Sequence, residues 1–304
     1  MTGKVIAVTG ASGAIGQKLV KLLFSKGFSV VGLCRNPPEN EVEEIIWRRF
    51  SLSDPAEVTA EKLGDVDQVV HLAAVIPGKV PKEEGDASHW NVTVLGTQRL
   101  IEAMTIAKTK RLVLTGTANV YEPDQPEATE ISPFGPRSRV LYLASKAAQE
   151  WLAASMCKTS EIDCAILRIS SVIGDGRGII DKLAVELAAG QQIRMEEGAA
   201  FGADFIDCDD VCQGLLIAVE AELCGIYNLS SGRRTELLDI VLELAQNLGR
   251  TPEAIEVVHV DRAPDTGFPA INSDRLRSYG FNPKPLSDVL ARIAFDAKTR
   301  TAVN

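Results

Sequence analysis

The sequence predicts an α/β fold: a doubly wound parallel sheet with helices on both faces, followed by a smaller, discontinuous C-terminal lobe. Apolar runs of strand length alternate with segments of helical spacing over the first 173 residues. Those runs are apolar throughout, as expected of strands covered on both faces. Gly10, Gly13 and Gly16 punctuate the first strand-to-helix junction, in the stretch "VTGASGAIG".

The elements follow in order. "KVIAV" (4–8) reads as a buried strand that ends at Thr9-Gly10. Residues 15–26 carry Leu19, Leu22 and Leu23 at helical spacing, and Gly27 stops that helix. "FSVVGLC" (28–34) is a second strand and "DQVVHLAA" (67–74) a further one. A long helix runs through "NVTVLGTQRLIEAM" (91–104), and "KRLVLTGT" (110–117) is the next strand. "LYLASKAAQEWLAASMCK" (141–158) is a helix, and "CAILRIS" (164–170) a strand. After about residue 173 the alternation loosens, although "GIYNLSSG" (225–232) reads as one more strand of the main sheet. We expect a nucleotide-binding domain over 1–173, with that returning strand, and a mainly substrate-binding lobe over 174–304.

Composition excludes several classes. The chain has 304 residues, 45% hydrophobic and 24% charged, with a net charge of -9. An acidic protein has no electrostatic footprint for nucleic acid or an anionic membrane. No apolar run reaches the roughly 20 residues of a membrane span. The six cysteines have no framework spacing, and no secretory signal is evident, so reduced thiols and a cytoplasmic location are expected. Cys208 and Cys212 are four residues apart and could share a helical face, but a metal site needs more ligands, and no metal is expected.

The glycine stretch gains meaning from its place between a strand and a helix. Gly10 permits a tight turn, Gly13 lets backbone approach a pyrophosphate, and Gly16 lets the helix pack close to the strand. The helix N-terminus adds free N–H groups and a positive dipole end. The contacts assigned to a dinucleotide are Gly10, Ser12, Gly13, Ala14 and Ile15. A plain glycine-rich turn is the competing reading.

The spacing is G-x-x-G-x-x-G, and "TGASGAIG" resembles the TGxxGxxG of the extended short-chain dehydrogenases. That group contains NAD(P)-dependent epimerases, dehydratases and 4-reductases of nucleotide sugars. "HLAA" (71–74), "NVTVLGT" (91–97), "YLASK" (142–146), "LRISSVIGDG" (167–176), "FIDCDDV" (205–211) and "GIYNLSSG" (225–232) fall in the family's order. The resemblance implies a Rossmann fold. It also implies that Leu52 flanks the adenine and that Leu72, Ala73 and Ala74 line the cofactor. Ser51 stands where the family often has an aspartate.

The cofactor is read from the end of the second strand, where an acid suits NAD and an arginine suits the 2′-phosphate of NADP. Here Cys34 stands in the acid's place and Arg35 follows, which favours NADP over NAD. A solvated surface arginine is the competing reading.

Tyr142 and Lys146 form a Y-x-x-x-K pair, which shares one helical face. A phenol has an ordinary pKa of about 10. A neighbouring ammonium favours the phenolate and lowers it. By the resemblance, Lys146 also reaches the nicotinamide ribose, so both residues join the cofactor set. The family carries a Ser or Thr three residues before a Val-Tyr pair; "TGTANVY" places Thr117 there, with Thr115 as the rival. Tyr142 then moves a proton on or off a substrate oxygen that Thr117 steadies, while hydride passes between substrate carbon and nicotinamide.

The substrate is less defined. "RAPD" (262–265) resembles a segment whose arginine contacts a nucleotide-sugar phosphate, making Arg262 a candidate anion clamp. Ala203 stands where many relatives have a phosphate-binding arginine, and Ser171 where many have asparagine. Arg177 and Arg194 are possible compensations. The leading reading is a nucleotide-sugar epimerase or keto-sugar reductase. The alternatives are an NADPH-dependent reductase of a non-sugar carbonyl and a cofactor-binding regulatory protein without turnover. "TANVY" lacks the acidic pair typical of a dehydratase, and Arg35 leans toward net reduction. The helices around 91–107 and 142–158 resemble the family's dimer bundle, with Leu141, Ala148 and Leu152 as outer positions, so a homodimer is expected.

Overall fold

The computed structural model describes residues 3–38, 45–76, 87–135, 140–197, 201–259 and 267–303. The chain opens with β1 (Val5–Thr9), α1 (Ala14–Ser25), β2 (Ser29–Cys34), β3 (Ile46–Arg49), α2 (Ala56–Leu63) and β4 (Gln68–His71). A π-helical turn (His89–Val94) leads into α3 (Leu95–Ala107), then β5 (Arg111–Thr117), β6 (Glu127–Ala128), α4 (Leu141–Thr159) and β7 (Asp163–Ile169). Next come β8 (Ser171–Ile173), α5 (Ile179–Ala188), β9 (Ile193–Glu197), β10 (Gly202–Asp207), α6 (Cys208–Glu220) and β11 (Gly225–Leu229). The chain closes with β12 (Arg234–Glu236), α7 (Leu237–Asn247), β13 (Ile255–His259), β14 (Ala270–Ile271), α8 (Asp274–Arg277) and α9 (Leu286–Val303).

The main sheet has seven strands in the order β11-β7-β5-β4-β1-β2-β3. β1 pairs in parallel with β2 on one side and β4 on the other, in the registers Thr9↔Leu33 and Thr9↔His71. Strand order reverses between β1 and β4, the switch point beside which such sheets bind ligands. "GIYNLSSG" supplies the edge strand β11 as expected. The sheet was read without β3 and α2, which both follow residues 39–44 in the chain. β3 ("IWRR") is short and lacks a continuous apolar run, and α2 is only eight residues long.

Two further differences have local causes. "DQVVHLAA" is strand only to His71, because Leu72–Ala74 leave the ladder and their backbone turns past Gly10. The helix expected from Asn91 begins two residues earlier as the π turn. That turn carries β-branched and aromatic residues, which do not hold regular α spacing well.

Two compact units divide the chain. The first comprises 1–120, 138–168 and 212–227 and holds nearly all of the main sheet. Its core packs Val31, Leu33 and Val69 with Leu100, Met104 and Leu112. The second comprises 121–137, 169–211 and 228–304. It contains the three-stranded sheet β12-β10-β8 and a core of Ile180, Leu187, Phe205, Ile240, Leu244 and Leu290. Its polar centre is Asp204, whose carboxylate accepts from Ser170 Oγ, Ser231 N and Oγ, Gly232 N and Ile271 N. No helix among the described residues is long and apolar enough to cross a membrane.

Candidate active site

The glycine turn sits at the carboxyl end of β1, at the switch point. Gly10 has φ +67°, a left-handed conformation that glycine adopts without strain. A Cβ there would meet the backbone of Ala73 at 3.1–3.2 Å, so the turn and the segment after β4 lie against each other. At Gly16 a Cβ would press on backbone alone, 2.7 Å from Ala11 Cα. The start of α1 has no side-chain cap and no acidic residue in its first turn. Its leading amides are therefore not taken by a capping side chain, and the dipole end suits an anion. Glycines that hold a tight turn, with an uncapped helix start beyond, fit a dinucleotide pyrophosphate. Ser12, Gly13, Ala14 and Ile15 lie half-buried along this turn.

Thr9 links the turn to the interior. Its hydroxyl lies 2.7 Å from His71 Nδ1, and its oxygen accepts from Ala73 N at 3.2 Å. His71 Nε2 lies 2.9 Å from Thr97 Oγ1. Thr97 donates to Thr93 O at 2.7 Å, one turn back where the π segment joins α3. Gln149 Nε2 also donates to Thr97 Oγ1 at 2.7 Å, and Gln149 Oε1 accepts from Lys146 Nζ at 2.5 Å. Lys146 donates again to Thr115 O at 2.6 Å. A continuous buried hydrogen-bonded chain thus joins Lys146 to the glycine turn.

Burial sets the charges. Lys146 is 4% exposed, and desolvation pushes its ammonium down to about 8 against an upward pull from Glu150. His71 is pushed down to about 3, by burial first and by Lys146 second, so it stands neutral. Tyr142 is pushed up to about 12 by desolvation. The expected lowering of the phenol by Lys146 is therefore overturned in this structure. Burial dominates, while the ammonium donates to Thr115 O and Gln149 Oε1.

Thr117 closes β5 and is buried, its Oγ1 accepting from Asn119 N at 3.3 Å. Its rival Thr115 is engaged within the sheet, donating to His71 O at 3.0 Å. Tyr142 lies in the first turn of α4, with the ring of His89 edge-on at 6.3 Å between centroids. Leu72, Ala73 and Ala74 are half-buried beside Gly10. Leu52 is buried against Gly96 of α3. Arg35 is exposed just beyond β2, and Arg49 pairs in register with Cys34 at the end of that strand.

Other assignments lie elsewhere. Ser171 is half-buried on β8, in the second unit. Arg262 lies outside the described residues. Ala203 is fully buried on β10, and the neighbouring Arg234 is engaged by Phe268 O and Glu236. Cys212 directs its thiol to Ile15 O at 3.7 Å. Sequence reasoning did not single out Thr9, Thr97, His89 or Gln149. The available signal was a polar residue at a position that helical or strand patterning assigns to the core.

The chain is 27% identical over 252 residues to the uncharacterized protein y4nG of Sinorhizobium fredii, covering 81% of this chain but 62% of that protein. It is 27% identical over 299 residues to the UDP-glucose 4-epimerase of Mycolicibacterium smegmatis, covering 91% and 93% of the two chains. The solved structure of MoeE5 in complex with UDP-glucose and NAD superposes with a TM-score of 0.84 at 26% identity, covering 99% of this chain and 100% of that one. With residues 6–230 matching the family model, the chain belongs to the NAD dependent epimerase/dehydratase family.

Proposed function

We propose that the chain is an NADP-dependent oxidoreductase acting on a nucleotide sugar, as an epimerase or keto-sugar reductase, with Thr117, Tyr142 and Lys146 as its catalytic set. One observation carries this reading: the buried chain from Lys146 through Gln149, Thr97, His71 and Thr9 ends at the glycine cradle. Lysine, threonine and cradle all belong to the first compact unit, which is the cofactor-binding part in this reading. A bound nicotinamide cofactor supplies the hydride donor and acceptor. Tyr142 gives a proton to, or takes it from, the substrate oxygen at its Oη. Thr117 donates its hydroxyl hydrogen to the same oxygen. Lys146 holds positive charge beneath the site with one N–H beyond the two used by Thr115 and Gln149.

A phenol held protonated by burial suits donation to a carbonyl oxygen, which favours net reduction. Cys34 in the place of an acid, exposed Arg35 and the neighbouring Arg49 favour the 2′-phosphate of NADP, although NAD is the cofactor named with the MoeE5 structure. The presence of both Tyr142 and Lys146 speaks against a cofactor sensor without turnover. A non-sugar carbonyl is the second reading, favoured by buried Ala203 where an arginine would serve a nucleotide phosphate. The exposed apolar residues of α3, α4 and the π turn, Trp151 at 68% with Ile106, Leu141 and Trp90, support a homodimer through these helices. A monomer mass by light scattering would count against the dimer.

The test combines mass spectrometry of copurified cofactor, titration with NADP and NAD, and thermal shift with UDP-glucose, dTDP-glucose and GDP-mannose. Tighter NADP binding and a stabilising shift with one of the sugars are expected. No shift with any sugar moves the assignment to the second reading, and tighter NAD binding overturns the cofactor choice.

A further inference from the structure

Gln149 follows Lys146 by three residues on α4 and is fully buried. Nothing in a Y-x-x-x-K pair requires a glutamine there. Two acceptors hold the lysine's ammonium, a main-chain carbonyl on β5 and the Gln149 side chain. The carbonyl is fixed by the sheet. The glutamine needs something to fix it, because a terminal amide is symmetric in shape and can turn its NH2 toward the lysine.

Thr97 removes that freedom. Its single hydroxyl hydrogen goes to Thr93 O, so its oxygen can only accept. It accepts from Gln149 Nε2 at 2.7 Å, which turns Oε1 of the same amide toward Lys146. The same constraint makes His71 a donor at Nε2, and hence an acceptor of the Thr9 hydroxyl at Nδ1. Gln149 Nε2 and His71 Nε2, 3.5 Å apart, then both donate to Thr97 Oγ1 rather than to each other.

We infer that Gln149 is the positioning residue for Lys146: it fixes where the ammonium points through a carbonyl oxygen that Thr97 orients. This rests on the reading of Lys146 as the cofactor lysine only for its functional consequence. With two N–H groups committed to Thr115 and Gln149, the third has a set direction. The charge is affected as well. An acceptor of the charged form offsets part of the desolvation that burial imposes. The ionisable groups shown around the lysine are His71 on β4, which stays neutral, and Glu150 on α4, itself bonded to Arg168 on β7. His89 of the π turn faces Tyr142.

The experiment follows the 13Cε resonance of Lys146 against pH in the full-length protein, assigned by its absence in Lys146→Met. Wild type, Gln149→Met and Gln149→Glu are compared, with NADP titrations at each pH. Gln149→Met keeps the volume and removes the acceptor, so the midpoint should fall by about one pH unit. Gln149→Glu keeps an acceptor and adds charge, so it should rise by about one unit or more. If Gln149→Met does not fold by circular dichroism, Gln149→Glu decides alone. An unmoved Lys146 midpoint in the folded variants overturns the inference. A moved midpoint with NADP affinity unchanged at every pH supports Gln149's role and overturns the reading of Lys146 as the cofactor lysine.

Discussion

Gly16→Ala gives the sharpest test of the cradle, because two effects of opposite sign compete there. Gly16 lies within α1, where alanine normally gains about 0.5–1 kcal/mol over glycine. Here the added methyl would stand 2.7 Å from Ala11 Cα and 2.8 Å from Ala11 C, with Gly10 O nearer still. All three are backbone atoms of the glycine turn, so no side chain can swing away. Reaching ordinary contact requires α1 to back off by roughly 0.7 Å from Ala11 Cα and by more from Gly10 O, in an interior that packs without slack. Overpacking of this kind costs about 1–3 kcal/mol, and a clash with backbone lies at the upper end. The net expectation is a destabilisation of about 2 kcal/mol. On the proposed reading, displacing the helix start from the turn should also weaken NADP binding by at least about tenfold, since the leading amides would then miss the phosphates. Urea unfolding and a fluorescence titration with NADP measure both effects. A variant at least as stable as wild type, with unchanged NADP affinity, would refute the packing argument and the cradle together.

Three further outcomes follow from the buried groups. Tyr142→Phe should keep NADP affinity within about twofold and lose about 10²–10⁴ in turnover, as for removal of a general acid; near-normal steady-state rates would sink the assignment. His71 stays neutral in the fold to about pH 3, whereas the unfolded chain binds that proton below about 6.5. Its stabilising contribution is therefore complete above about 6.5 and lost as pH falls toward 3, at up to about 1.4 kcal/mol per pH unit. Urea midpoints at pH 7.5 and 5 should show a loss smaller by ~2 kcal/mol in His71→Gln; equal losses would contradict it. Glu150→Gln leaves buried Arg168 without the carboxylate that meets its Nε at 2.9 Å. The expected loss is about 3 kcal/mol, seen as a fall in Tm on the order of 10 °C, and an unchanged Tm would show that the pair contributes little.

Legibility followed the range of the signal. The glycine turn, the apolar strands and the Tyr142–Lys146 pair are local patterns, each written within a few residues, and each is where periodicity places it in the fold. Gly10 and Gly16 carry their reasons in their own identity, since no other residue fits their backbone or packing. β3 and α2 were missed because their residues carry no strong period, and pairing with β2 and packing on α3 make them ordered elements.

By itself the sequence determined the alternation of strands and helices around the main sheet apart from β3 and α2, the glycine turn between β1 and α1, and the spacing of Tyr142 and Lys146 on one helix, because each depends on a pattern within one element or one turn. Only the tertiary structure decided how the lysine is held and what its surroundings do to charge. Thr9, His71, Thr97 and Gln149 come from β1, β4, α3 and α4 and share no local pattern. The sheet and its covering helices bring them within hydrogen-bond distance and strip away water. That desolvation pushes Tyr142 up, where spacing alone had it falling.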